Sequence, residues 1–175
     1  MKKTLLCLTA VICFSLLNIA CNDEAAQCRN LYDDKKYSEA LQFCEKVCNL
    51  NYGGGCHNLG VLYDRGQGVT QDYQQARTYF EKACNLNEGL GCSNLGLFYY
   101  EGKSVKQDFQ QAKTYFEKAC GLNEGDGCFN LGVLYANGEG VRQNFQTAKE
   151  YFGQACDLGD QEGCDNYREL NEKGY

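Results

Sequence analysis

A stretch of twelve residues occurs three times in this chain at a fixed offset, and that repetition limits the fold more than any composition figure. Tyr73-Gln-Gln-Ala-Arg-Thr-Tyr-Phe-Glu-Lys-Ala-Cys84 returns as Phe109-Gln-Gln-Ala-Lys-Thr-Tyr-Phe-Glu-Lys-Ala-Cys120. It returns again, more loosely, as Phe145-Gln-Thr-Ala-Lys-Glu-Tyr-Phe-Gly-Gln-Ala-Cys156, so the period is 36 residues. A second matched stretch runs at the same period: Gly55-Cys-His-Asn-Leu-Gly60, Gly91-Cys-Ser-Asn-Leu-Gly96 and Gly127-Cys-Phe-Asn-Leu-Gly132, with a shortened Gly163-Cys-Asp-Asn166. A unit of this size is one supersecondary element. It cannot bury an apolar face alone and must stack on its neighbours.

Each unit reads as two helices. The first starts near the Gly-Cys-x-Asn-Leu-Gly stretch and carries Leu95, Phe98 and Tyr99 at the i, i+3, i+4 spacing of one helical face. Gly102, Gly138 and Gly140 end it, through a loop such as Gly66-Gln-Gly-Val-Thr-Gln71. The second helix opens at Asp72, Asp108 or Asn144, all good N-cap residues, and Gln75 and Gln111 stand where a capping box needs them. Tyr73, Ala76, Phe80 and Ala83 are its expected buried stripe, and Ala76, Ala112 and Ala148 mark close helix approach. Period-2 strand patterning is lacking, so the expected fold is all-α: an α-solenoid of antiparallel helix pairs. The expected divisions are a leader at 1–20, a short first helix at 22–36, and repeats at 37–72, 73–108 and 109–144. A truncated repeat with a charged cap takes up 145–175. The first unit is the tightest, because Cys28-Arg-Asn-Leu-Tyr32 leads almost directly into Tyr37-Ser-Glu-Ala-Leu41.

Lys2 and Lys3 precede an apolar run from Leu5 to Leu17, and small residues follow. That is the order of a secretory signal, and the run is short for a membrane span. The expected location is therefore outside the cytoplasm: periplasmic, secreted or lipid-anchored. Ala20-Cys21 fits a lipoprotein junction, although Asn18 stands where that pattern has an aliphatic residue, so acylation of Cys21 and plain secretion both stand. If Cys21 is acylated or trimmed away, ten cysteines remain in the mature chain, an even set that can pair completely.

The Gly-x-Gly-Val loop, the Leu-Gly-x-x-Tyr of the first helix and the Ala-x-x-Tyr-Phe-x-x-Ala-Cys of the second resemble Sel1-like repeats, a tetratricopeptide-like unit. The cysteine closing each second helix, with another eight residues on, is similar to the Helicobacter cysteine-rich protein family, over about residues 37–167. That family is associated with penicillin binding and slow β-lactam hydrolysis, so the resemblance implies a β-lactamase-type hydrolase as one reading of this chain. The eight-residue spacing pairs Cys48 with Cys56, Cys84 with Cys92, Cys120 with Cys128 and Cys156 with Cys164. The rival pairing, Cys56 with Cys84 and onward, strands Cys48 and Cys164. Cys28 and Cys44 then close a fifth bridge. Gaps of eight do not match the short chelate bite of zinc sites, and no metal or other cofactor is expected.

A formal charge of −6 without a basic block is a poor match to phosphate backbones, so nucleic acid is not an expected partner. No Ser-x-x-Lys, Gly-x-Ser-x-Gly, P-loop or Cys-x-x-Cys occurs. What repeats instead is Asn58, Asn94, Asn130 and Asn166, at one register of successive first helices. Such a ladder on a concave face can hold the backbone of an extended chain, while His57, Ser93 and Phe129 vary beside it and would select the partner. The competing reading has each amide bonding a neighbouring helix end. Two functions follow: a module binding a peptide or protein partner, or a hydrolase acting on β-lactams or peptidoglycan fragments, with no catalytic residue to assign. A membrane enters only through a lipid on Cys21.

Overall fold

The computed structural model describes residues 23–175. The leader and Cys21 lie outside the described residues. Helix α1 covers residues 23–33. It is followed by α2 (Tyr37–Asn49), α3 (Gly53–Arg65), α4 (Tyr73–Asn85) and α5 (Gly89–Glu101). Then come α6 (Phe109–Gly121), α7 (Gly125–Asn137), α8 (Phe145–Asp157) and α9 (Gln161–Glu172). No strand occurs among the described residues. The chain is an α-solenoid: α3, α5, α7 and α9 are the first helices of successive units, and α4, α6 and α8 the second.

Second helices start where the cap residues stand. The Asp72 carboxylate accepts from the Gln74 and Gln75 amides, and Asp108 does the same for Gln110 and Gln111. Asn144 accepts from Thr147. The return half of the expected capping box does not form. The Asp72 amide donates instead to the Tyr63 carbonyl at 3.0 Å, and Asp108 and Asn144 donate to Tyr99 and Tyr135 at 2.9 Å. This long-range bond ties each second helix to the end of its own first helix. A Gln just before the cap completes the tie: Gln71, Gln107 and Gln143 donate their side-chain amides to the carbonyls of Asp64, Tyr100 and Ala136 at 2.7–2.8 Å. Orphan carbonyls at a helix end are thereby satisfied.

Within each pair the helices meet at a glycine. A Cβ at Gly60, Gly96 or Gly132 would fall 2.5–2.6 Å from the ring of Phe80, Phe116 or Phe152. The Asn-Leu-Gly signature is thus the seat of the second-helix phenylalanine, and Phe80 and Phe116 are at most 1% exposed. Ala76, Ala112 and Ala148 are fully buried, as close approach demands. Tyr73 is a correction: it is 38% exposed and not part of the buried stripe. It occupies the first turn of α4, beyond the crossing, and meets Phe98 edge-on with Lys103 above its ring.

Copies stack asymmetrically. The backbones of α3 and α5, of α5 and α7 and of α7 and α9 approach closely, while those of α2, α4, α6 and α8 stay apart and meet only through side chains, as where Lys118 of α6 donates to the Cys84 carbonyl of α4. First helices therefore crowd together on the inner side of the curve, and second helices splay on the outer side.

Candidate functional site: the inner face of the first helices

All four amides of the ladder are half-buried on first helices. Asn94, Asn130 and Asn166 donate to the carbonyls of Leu90, Asp126 and Glu162, four residues back in their own helices, at 2.7–2.8 Å. Asn58 instead points its amide at Cys28 Sγ, 3.6 Å away. Each amide thus spends at least one N–H on the scaffold, and Asn94 places both, on Leu90 and toward His57. The Oδ1 acceptors of Asn94, Asn130 and Asn166 have no partner among the described residues.

The variable register divides. The His57 ring lies 6.0 Å from that of Phe80, and Phe129 lies 5.6 Å from Phe152, so each lies against the phenylalanine of its own unit. His57 Nε2 meets the Asn94 amide at 3.3 Å, one copy on. Burial pushes the His57 pKa down to about 4, so the ring is neutral near pH 7. Ser93 departs from expectation. It is 2% exposed, its hydroxyl has no partner among the described residues, and it offers a ligand almost no surface. A small side chain at this register sinks between the helices where His57 and Phe129 reach outward.

His57 and Asn58 open onto a cleft of about 350 Å³ formed by α1, α3 and the start of α5. Its walls are Ala25, Cys28 and Arg29, Tyr52 with Gly54 and Gly55, and Glu88 with Leu90. Arg29, Tyr52 and Glu88 escaped the sequence reading. Glu88 had a legible signal, since Glu88, Glu124 and Asp160 recur at the repeat period just before the first helices. The two glutamates serve the preceding copy, Glu88 lying over the start of α3 and Glu124 over the start of α5, while the Asp160 carboxylate caps its own helix α9 by accepting from the Gly163 amide. Neither of those helices has a side-chain N-cap, so the carboxylate meets an otherwise unmatched positive helix end. Burial raises the pKa of Glu88. It raises Glu124 as well, where Asp126 and Glu88 add repulsion, and Asp126, where Asp160 adds it.

The bridges hold this face in register. Cys28–Cys44, Cys48–Cys56, Cys84–Cys92, Cys120–Cys128 and Cys156–Cys164 have Cα separations of 4.4–4.9 Å. Eight residues suffice because the turn between helices uses one left-handed residue, Asn51, Asn87, Asn123 or Gly159. The glycine before the second cysteine does the rest, for a Cβ at Gly91 would sit 2.5 Å from Ala83. Among the described residues no group of side chains could hold a metal ion, and no helix is long and apolar enough to cross a membrane.

Comparison with known proteins places this architecture. The Sel1 repeat family model matches residues 54–88, 89–124 and 125–160, more than half of the chain. HcpC of Helicobacter pylori, provisionally named a beta-lactamase, is 48% identical over 40 residues, which are 23% of this chain and 14% of HcpC. The chain thus spans a small part of that relative. The structure of Helicobacter pylori cysteine rich protein B superposes with a TM-score of 0.60 at 41% identity, covering 75% of this chain and 93% of that one. A Sel1 repeat protein from Oxalobacter formigenes gives a TM-score of 0.74 at 33% identity, covering 79% of this chain and 57% of its own. The three tandem matches, the solenoid stacking and the bridge at the end of each second helix establish that the chain belongs to the Sel1 repeat family, as a member of its Helicobacter cysteine-rich group.

Proposed function

We propose that this protein is a non-catalytic binding module, exported from the cytoplasm, that holds an extended peptide or a protein segment along the inner face of its first helices. One observation carries the reading. The Oδ1 atoms of Asn94, Asn130 and Asn166 form a ladder of acceptors, at the repeat period, that have no partner among the described residues, on the face where first helices crowd together. Acceptors at fixed spacing suit backbone N–H groups, which every peptide supplies whatever its side chains. The cleft beside His57 and Asn58 would take one side chain of that segment. Five bridges and the basic-apolar leader support the exported location. Whether Cys21 carries a lipid decides between an anchored and a free form.

A hydrolase acting on β-lactams or peptidoglycan fragments is the second reading, and HcpC's name is what favours it. The chain supports it poorly: His57 Nε2 meets an amide, not a hydroxyl or thiol, and the Ser93 hydroxyl is sealed from solvent.

A synthetic peptide array selects a binder, and its affinity is then measured for wild type and for the double variant Asn94→Ala, Asn130→Ala. Losing two acceptors at about 0.5–1.5 kcal/mol each should weaken binding roughly tenfold or more. A fall in melting temperature with unchanged affinity would assign the amides to the scaffold alone. Nitrocefin turnover by the purified protein would instead establish the hydrolase.

A further inference from the structure

The five bridges share one chemistry but not one environment. Cys28, Cys44, Cys48, Cys56, Cys84 and Cys92 are each at most 1% exposed, and Cys128 is 1% exposed. Cys120 is half-buried, and in Cys156–Cys164 both residues are half-buried. The reason is positional. Ala83 of α4 closes over the core that holds the first two bridges, and Ala119 of α6 over the core that holds Cys84–Cys92. Among the described residues no further helix covers the last bridge.

The helix that this bridge secures is packed mainly on one neighbour. α9 packs on α8 with a small edge against α7, and only Gly163 and Leu170 of α9 are buried. Its connection to α8 runs through Leu158, which is 41% exposed, and Gly159, which has nothing within 4 Å of its Cβ position. Further ties are Lys149 to Asn171 and to the Tyr175 carbonyl, the Tyr175 ring against Phe145, and the Tyr167 ring beside Gly153 and under Lys149.

We propose that Cys156–Cys164 is a redox-modification site, opened by dithiol reductants ahead of the other four bridges, and that its opening releases α9 from α8. A thiolate of the dithiol attacks one sulfur, the Cys156–Cys164 bond breaks, and the departing thiolate takes a proton. The second thiol of the reductant then attacks the mixed disulfide. Two electrons have passed to the protein, the reductant has become a disulfide, and both cysteines are thiols. Attack requires access, which Cys156–Cys164 offers at both half-buried residues, Cys120–Cys128 at one, and the three sealed pairs at neither. Released, α9 withdraws Gly163 from Ala155 of α8 and Leu170 from the cluster it shares with Ala148 and Phe152, whose other side stays covered by α7.

The test treats the intact protein with graded dithiothreitol, alkylates the freed thiols and maps them by mass spectrometry, with hydrogen exchange on the same samples. Cys156 and Cys164 should be alkylated first, on the order of tenfold faster than Cys48 and Cys56. In that two-thiol species the α9 amides should lose protection while α2 to α5 keep theirs. The double variant Cys156→Ser, Cys164→Ser should show the same α9 exchange without reductant. Simultaneous opening of all five bridges, or an interior bridge opening first, would overturn the proposed site. Full protection of α9 in the two-thiol species, or in the double variant, would overturn the release.

Discussion

The two ends of this solenoid use the same bridge at the same eight-residue spacing and obtain different things from it. Near the N-terminal end Cys48–Cys56 joins α2 to α3 inside the core that also holds Cys28, Cys44, Val47, Leu59 and Leu62. At the other end Cys156–Cys164 joins α8 to α9 with both residues half-exposed and no core cluster around them. In a stacked repeat each unit is stabilised by its neighbours, so a bridge in mid-stack is both covalent staple and packed side chain, while a terminal one is only the staple. The sharpest break of this comparison is paired deletion. Replacing Cys48 and Cys56 by Ala removes loop closure and two buried sulfurs, and should cost about 2–5 kcal/mol. Replacing Cys156 and Cys164 should cost clearly less, with the loss confined to α9. Urea unfolding midpoints measure the difference, and equal costs would show that position in the stack is irrelevant.

A second contrast lies within one register. His57 and Phe129 are equivalent residues lying against equivalent phenylalanines, yet only one can titrate. The folded-state pKa of His57, about 4, lies below its ordinary 6.5. Between those values the unfolded chain takes up a proton that the folded chain refuses, so stability is full above about pH 6.5 and falls as the pH drops toward 4. At 1.36 kcal/mol per pKa unit the loss is about 3 kcal/mol. Glu88, Glu124 and Asp126 act oppositely, since carboxyls with raised pKa values bind protons more readily in the folded state and offset part of the loss at the acid end. His57→Phe should flatten melting temperature against pH across that window. An unchanged slope in the variant would remove His57 as the cause.

Repeat period, helix pairing and bridge spacing all stood in the sequence because they are local and copied. Asp72, Asp108 and Asn144 could be recognised as caps from composition alone. The partner of the Asp72 amide could not, because Tyr63 lies nine residues back and only the folded loop brings it near. The Asn ladder was legible as a register but not as chemistry. Which atoms remain free depends on rotamers that turn each donor back onto its own helix. Glu88 and Glu124 recur at the same period, but their role is not legible locally, since the partner of each is a helix end in the preceding copy. The burial gradient along the bridges is invisible in any single repeat, because it belongs to the stack.

The finest contrast is among three loops. Gly68, Ser104 and Gly140 occupy one register, all left-handed, with φ of 73°, 58° and 67°. The loops press on the second helix of the preceding copy: a Cβ at Gly68 would lie 2.6 Å from the backbone of Tyr37 and Ser38, and one at Gly140 would lie 2.6 Å from Phe109. Gln74 donates its side-chain amide to the Ser104 carbonyl at 3.1 Å, and Gln110 donates to the Gly140 carbonyl. That tie needs the backbone, not the side chain. Ser104 therefore carries a left-handed penalty of about 1–2 kcal/mol that the glycines avoid. Its buried hydroxyl adds to this, having no partner among the described residues. Glycine returns about 0.5–1 kcal/mol of that through the greater freedom of its unfolded chain. Ser104→Gly should leave a net gain of about 1 kcal/mol, visible as a small rise in the urea midpoint at unchanged slope. Gly140→Ser should lose stability, more than the first variant gains, because its Cβ must also displace Phe109. If Ser104→Gly instead destabilises the protein, the hydroxyl is satisfied in solution and the three loops differ by design of their side chains, not by strain in their backbone.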